Sequence, residues 1–252
     1  ITPNHSTMNT IRQKEKKPNI LYNYGISEAL IGGLYEGTIS VKNLRQKGNF
    51  GLGAPGMLDG ELTILDGKAY QTKANGETTV LKDDQMIAFS SVTFFEPDLV
   101  SHINTFTDQH SLYQIIVNSL VNDNAMYAIR ISGNFNYIKT RAFPLIEAPF
   151  PVLSSILDRQ RIFEYEHTSG ILVGYLLPEY LNGISISGFH FHFLSSDKKQ
   201  GGHVLDFTGE NLKVEIAELR SMELEVSSDR SFQQFRFRNK YNEDLAKVGR
   251  GY

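Results

Sequence analysis

The sequence predicts an α/β protein of the α+β type: two mixed or antiparallel β-sheet domains with a few short helices. Three observations carry this. Asp66-Gly67 separates two short strand-like runs, Glu61 to Leu65 and Lys68 to Thr72, a strong two-residue hairpin signal. Alternation recurs at Phe189-His190-Phe191-His192-Phe193 and at Leu212-Lys213-Val214-Glu215-Ile216, the pattern of half-buried strands. Helical spacing is confined to a few stretches, chiefly Ile26 to Leu34 and Leu99 to Asn122.

Composition narrows the function classes. The chain has 252 residues, 40% hydrophobic and 21% charged, enough for one large domain or two smaller ones sharing a core. A net charge of -3 gives no basic footprint, so nucleic acid is not an expected partner. There is no cysteine, which removes disulfides, thiol nucleophiles and thiolate ligands together. No apolar run approaches the length of a membrane span. The chain begins at Ile1 rather than Met, which is compatible with a removed signal peptide; the working expectation is a cytoplasmic protein.

Taken in order, residues 1–18 are polar, contain the basic run Arg12 to Lys17, and read as a flexible leader. Ile26 to Leu34 fits a short helix with Ser27 as its N-cap. Thr38 to Val41 is a short β-branched run, and Val41 to Gln46 a helical turn stopped by Gly48. Four glycines between Gly51 and Gly60 permit close backbone approach, but no Gly-Lys-Ser/Thr follows, so this is not a phosphate loop. After the Asp66-Gly67 hairpin, Ala74 to Glu77 is a turn, Thr78 to Leu81 a strand, and Ile87 to Phe95 another.

Leu99 to Asn122 reads as one helix that carries His102 and His110 on its surface. Tyr127 to Ile131 is a strand, Ser132-Gly133-Asn134 a turn, and Phe135 to Phe143 the return strand, with Lys139 and Arg141 on one face. Pro144 to Pro151 has three prolines and is the expected domain boundary, giving an N-terminal sheet domain at 19–148 and a C-terminal one at 149–252. Val152 to Gln160 is a helical turn. Ile162 to Glu166 and Ser169 to Leu176 are strands, with His167 in the turn between them. Phe232 to Val248 is charged and compatible with a helix.

The chemistry gathers at Gly188 to Phe207. His190 and His192 are two apart on a strand, so both imidazoles point one way and Phe189, Phe191 and Phe193 the other. Ser195 to Gly202 is a polar hairpin loop ending in Gly-Gly, and the return strand brings His203 beside the first two. A lone histidine on a strand is usually a polar surface residue. Here three of the seven histidines converge from two paired strands, which describes an open divalent-metal site, most naturally zinc, with positions left for water or substrate.

Gly-Phe-His-Phe-His-Phe-Leu-Ser followed by Gly-Gly-His-Val-Leu-Asp-Phe resembles the metal-binding hairpin of the acetolactate decarboxylases. So do Gly48-Asn-Phe-Gly-Leu-Gly, Leu58-Asp-Gly-Glu-Leu with Asp66-Gly-Lys-Ala-Tyr-Gln behind it, Phe94-Phe-Glu-Pro-Asp, and Ile129-Arg-Ile-Ser-Gly-Asn-Phe with Lys139-Thr-Arg. The likeness covers roughly residues 20 to 207.

The resemblance implies two sheet domains with the site between them, a homodimer, and conversion of 2-acetolactate to acetoin and CO2. It implies a divalent metal, usually zinc, on His190, His192 and His203, with Glu61 near the metal and Arg141 in the site. On their own, Glu61 describes a surface carboxylate, and Arg141 could pair with any of 28 acids; Arg130 rivals it on a neighbouring strand. Two departures stand out: Ala54 replaces a frequent threonine, and the C-terminal segment Leu245-Ala-Lys-Val-Gly249 lacks the family's second glutamate, with Glu243 the nearest acid. Competing readings are a cupin-like metal oxygenase or isomerase, with Asp197 as the extra acid, and a non-catalytic metal- or sugar-binding module.

Overall fold

The computed structural model describes residues 19–237. The expected leader, Glu243 and most of the expected C-terminal helix lie outside them. In chain order the strands are β1 (Ile20–Tyr24), β2 (Ile39–Ser40), β3 (Phe50–Pro55), β4 (Glu61–Leu65), β5 (Lys68–Thr72), β6 (Thr78–Val80) and β7 (Met86–Thr93). There follow β8 (Leu99–Ile103), β9 (Thr107–Asp108), β10 (Met126–Ala142), β11 (Arg161–Leu177), β12 (Gly188–Ser195), β13 (Gly201–Leu219) and β14 (Ser221–Glu225). The helices are α1 (Ser27–Ile31), α2 (Val41–Arg45), α3 (Gln109–Ser119) and α4 (Arg230–Gln234).

The α+β reading holds, in two sheets. The first runs β14-β1-β7-β3-β4-β5-β6, with β2 added beside β7. The second runs β10-β11-β12-β13-β8, and β10 also pairs β13, so four of its strands close on themselves. The Asp66-Gly67 hairpin forms as read, with Glu61 opposite Thr72 and Leu65 opposite Lys68.

The sheets pack face to face through an apolar layer. Leu21, Phe50, Leu52 and Leu65 from the first meet Ala128, Val173, Leu194 and Ala217 from the second. The outer face of the second sheet is covered by Leu112 and Ile116 of α3, against Ile129, Phe135, Phe191, Phe193 and Phe207. The period of two in β12 therefore separates two environments: the phenylalanines enter the helix-covered core, and His190 and His192 face the first sheet. Burial of each large apolar side chain stabilises the arrangement by about 1.5–3 kcal/mol.

Four local expectations need correction. Leu99–Ile103 and Thr107–Asp108 are strands, not helix: β8 and β9 both pair β13, and the helix begins only where the Asp108 side chain accepts from the Ser111 N–H at 2.7 Å. An N-cap carboxylate satisfies an otherwise orphaned amide and sets the start of the helix. Ser132-Gly133-Asn134 is not a turn. β10 runs through it, because β11 and β13 supply ladder partners on either side. His167 likewise lies inside one continuous strand, β11, as a positive-φ residue at 47°. Ser27 does not cap α1; its hydroxyl donates to the Ser185 carbonyl at 2.7 Å.

The expected boundary at 148/149 falls between β10 and β11, which pair along their whole lengths. The change of sheet does not coincide with it: β8, β9 and β10 belong to the second sheet, and β14 returns to the first.

A candidate metal and active site between the sheets

The ladder register assembles most of the site. Arg141 lies opposite His203, and His203 opposite His192, so the three stand in one row across β10, β13 and β12. His190 projects from the same face of β12. Arg141 reaches that face because β10 carries a register shift between Phe135 and Tyr137. Before the shift, odd-numbered Ile129, Ile131 and Phe135 enter the helix-covered core; after it, even-numbered Ile138 does, and Arg141 turns to the first sheet. An extra residue in one strand reverses which face each later side chain takes.

Gly202, at φ +119°, immediately precedes His203, and a Cβ there would stand 2.8 Å from the Arg141 carbonyl. Only glycine fits that backbone at that approach. A Cβ at Gly201 would stand closer still to the Thr72 hydroxyl of β5. The Gly-Gly pair expected in the hairpin loop thus opens β13 and draws it against both neighbours.

Glu61 comes from the first sheet. It opens β4 and is 7% exposed. Its Oε1 accepts from Arg141 Nη1 at 2.9 Å, and its Oε2 lies 3.5 Å from His192 Nε2. His192 Nδ1 is 2.7 Å from the Leu62 carbonyl. A carbonyl only accepts, so Nδ1 carries the proton and Nε2 keeps its lone pair toward Glu61 and the other rings. His190 Nε2 and His203 Nδ1 are 3.1 Å apart. One nitrogen from each of the three rings lies within 4.8 Å of the others.

Burial sets the charge states. It holds the His190 imidazole well below the usual range, with His192 and Arg141 adding to the effect. It lowers His192 to about 3, opposed by the bond to the Leu62 carbonyl and reinforced by Arg141. Both rings are therefore neutral, the form that ligates a metal. Burial raises Glu61 to about 7, partly offset by Arg141, so its protonated form is accessible near neutrality.

Three buried imidazoles, one with its tautomer set by a main-chain carbonyl, fit a divalent cation with open positions. They face a cavity of about 400 Å³, its open mouth included, with an apolar wall from Leu30, Leu58, Phe89, Phe143, Leu153 and Ile186.

The sequence model of one family, alpha-acetolactate decarboxylase, matches residues 21–239. The chain belongs to the alpha-acetolactate decarboxylase family. Among curated relatives, the alpha-acetolactate decarboxylase of Methanosarcina mazei is 34% identical over 91% of this chain and 80% of its own. That of Bacillus licheniformis is 32% identical over 96% of this chain and 94% of its own. The crystal structure of alpha-acetolactate decarboxylase from Bacillus subtilis strain 168 superposes with a TM-score of 0.89 at 31% identity, covering 92% of this chain and all of that one.

For this acetolactate decarboxylase family member, all five residues singled out in the sequence, Glu61, Arg141, His190, His192 and His203, meet in one cavity. Arg130, the rival to Arg141, does not join them; it reaches Asp66 and Glu215 instead. Asp197, required by a cupin-like reading, accepts from Ser195 and from the Lys199 amide in the hairpin turn. Ala54 is buried in the cavity wall. Sequence reasoning passed over the Leu62 carbonyl, which as main chain leaves no signal in residue identity. It also passed over Phe143, whose two-residue spacing from Arg141 was the available clue.

Proposed function

We propose that the protein decarboxylates 2-acetolactate to acetoin and CO2 with a divalent metal, zinc first among candidates, on His190, His192 and His203. The observation that supports this best is the meeting of a buried carboxyl of raised pKa, a buried arginine and three buried imidazoles in one apolar-walled cavity. Bound on these three residues, a divalent metal would supply Lewis-acid chemistry for the substrate's ketone oxygen.

Arg141 orients the carboxylate through its planar array of N–H donors. The bond between that carboxylate and C2 breaks, CO2 departs neutral, and the electron pair passes to C2 and the ketone oxygen as an enediolate. Glu61, protonated, then delivers its proton to C2 on one face, which yields acetoin, and regains a proton from water. The apolar wall excludes water from the reacting carbon and strengthens each electrostatic contact. We read the assembly as a homodimer and the compartment as the cytoplasm.

Purified protein given racemic acetolactate should release CO2 and form acetoin in equal amounts, and only with bound metal. Metal binding without CO2 release would favour the non-catalytic reading. Oxygen uptake with bound iron would favour the cupin-like one.

A further inference from the structure

We infer that Phe143 is a positioning residue of this site that acts through Arg141, an inference that rests on the role proposed for Arg141 above. Its ring lies beneath the guanidinium, with Cζ 4.8 Å from the ring centroid. The ring is 1% exposed and packed with Leu30, Phe89 and Leu153, so it cannot turn away. Its main chain is tied to the other side of the site: the Phe143 carbonyl accepts from the Gly60 N–H at 2.9 Å, one residue before Glu61. A second tie, from the Ile146 N–H to the Met57 carbonyl at 2.8 Å, keeps the two segments together. Phe143 thus brackets the Arg141–Glu61 pair, ring under one partner and carbonyl on the strand entry of the other.

The geometry has a chemical purpose. A guanidinium donates only in its own plane, and its faces are left for stacking. With Nη1 committed to Glu61 at 2.9 Å and one face seated on a buried ring, the plane is held at a defined tilt to the cavity. A carboxylate meeting that plane is held in one orientation, the requirement for breaking its bond to C2 along the ketone π system. The ring quadrupole also stabilises a cation that burial otherwise destabilises, and the attraction grows when both groups are away from water.

The test is a double-mutant cycle on metal-loaded protein with acetolactate, pairing Phe143→Leu with Arg141→Lys. Phe143→Leu keeps the main-chain bond to Gly60 and removes the π face. It should retain metal and lower kcat/KM about five- to thirtyfold. In that background Arg141→Lys should cost at least about fivefold less than in the wild type, because the ring acts through the guanidinium. Phe143→Tyr should restore most of the loss, and Leu153→Ala, on the same wall, should combine additively with Arg141→Lys. If Phe143→Leu folds poorly, Phe143→Met, which is flexible and fills the space, replaces it in the cycle.

Additive losses for Phe143 and Arg141, within about twofold, would overturn the inference alone and leave Phe143 as packing. Wild-type protein that released no CO2 would overturn the decarboxylase mechanism and this inference with it.

Discussion

His192 of the second sheet donates its Nδ1–H to the Leu62 carbonyl of the first at 2.7 Å, so the bond that orients a candidate metal ligand also joins the sheets. His192→Ala should remove bound metal, from roughly one equivalent to near none. Acetoin formation should disappear with it. Atomic emission on the purified variant, with circular dichroism to verify the fold, checks this. A variant that kept its metal would place the cation elsewhere.

Exhaustive chelation of the wild-type protein should abolish CO2 release, and added zinc should restore it in proportion to the metal bound. Catalysis that persisted in full after chelation would count decisively against a metal mechanism.

Arg141→Lys exchanges a planar array of donors for a point charge while keeping a cation beside Glu61. Metal content should be unchanged and kcat should fall by about 10²-fold, as for loss of one preorganised donor. Steady-state kinetics with metal analysis decides it; unchanged turnover would remove Arg141 from the site.

Glu61→Gln keeps the shape and a hydrogen-bonding partner for Arg141 but has no acidic proton to deliver. Acetoin formation should slow by about 10²- to 10⁴-fold, the usual contribution of a general acid. The stereochemical purity of any residual acetoin should drop, since protonation by water has no preferred face. Chiral gas chromatography of the product measures this; an unchanged enantiomer ratio would assign the proton to another group.

Gly202→Ala forces a Cβ onto a backbone at φ +119° and toward the Arg141 carbonyl. It should cost about 1–3 kcal/mol of stability. Metal affinity should fall as His203 shifts. Thermal denaturation of loaded and stripped protein separates the two effects, and a variant with wild-type melting would show that the strand tolerates the change.

Much of the site was legible in residue identity. Alternation with phenylalanines placed His190 and His192 on one face, and the Asp66-Gly67 hairpin delimited the strand that Glu61 opens. The misread stretches share a physical cause. Gly133 and His167 sit where a chain can either reverse or bulge, and the choice depends on whether neighbouring strands supply ladder partners on both sides. Leu99 to Ile103 fits a helical period, yet pairing with β13 made it strand.

By itself, then, the sequence determined the local matters: which residues alternate, where the chain turns tightly between β4 and β5, and which three imidazoles share a hairpin. Tertiary structure alone decided the pairing of Glu61 with Arg141, the seating of that guanidinium on Phe143, and the tautomer of His192. These depend on a register shift in β10 and on a main-chain carbonyl of the opposite sheet. Side-chain periodicity carries no record of either, because both arise from hydrogen bonds between strands distant in the chain.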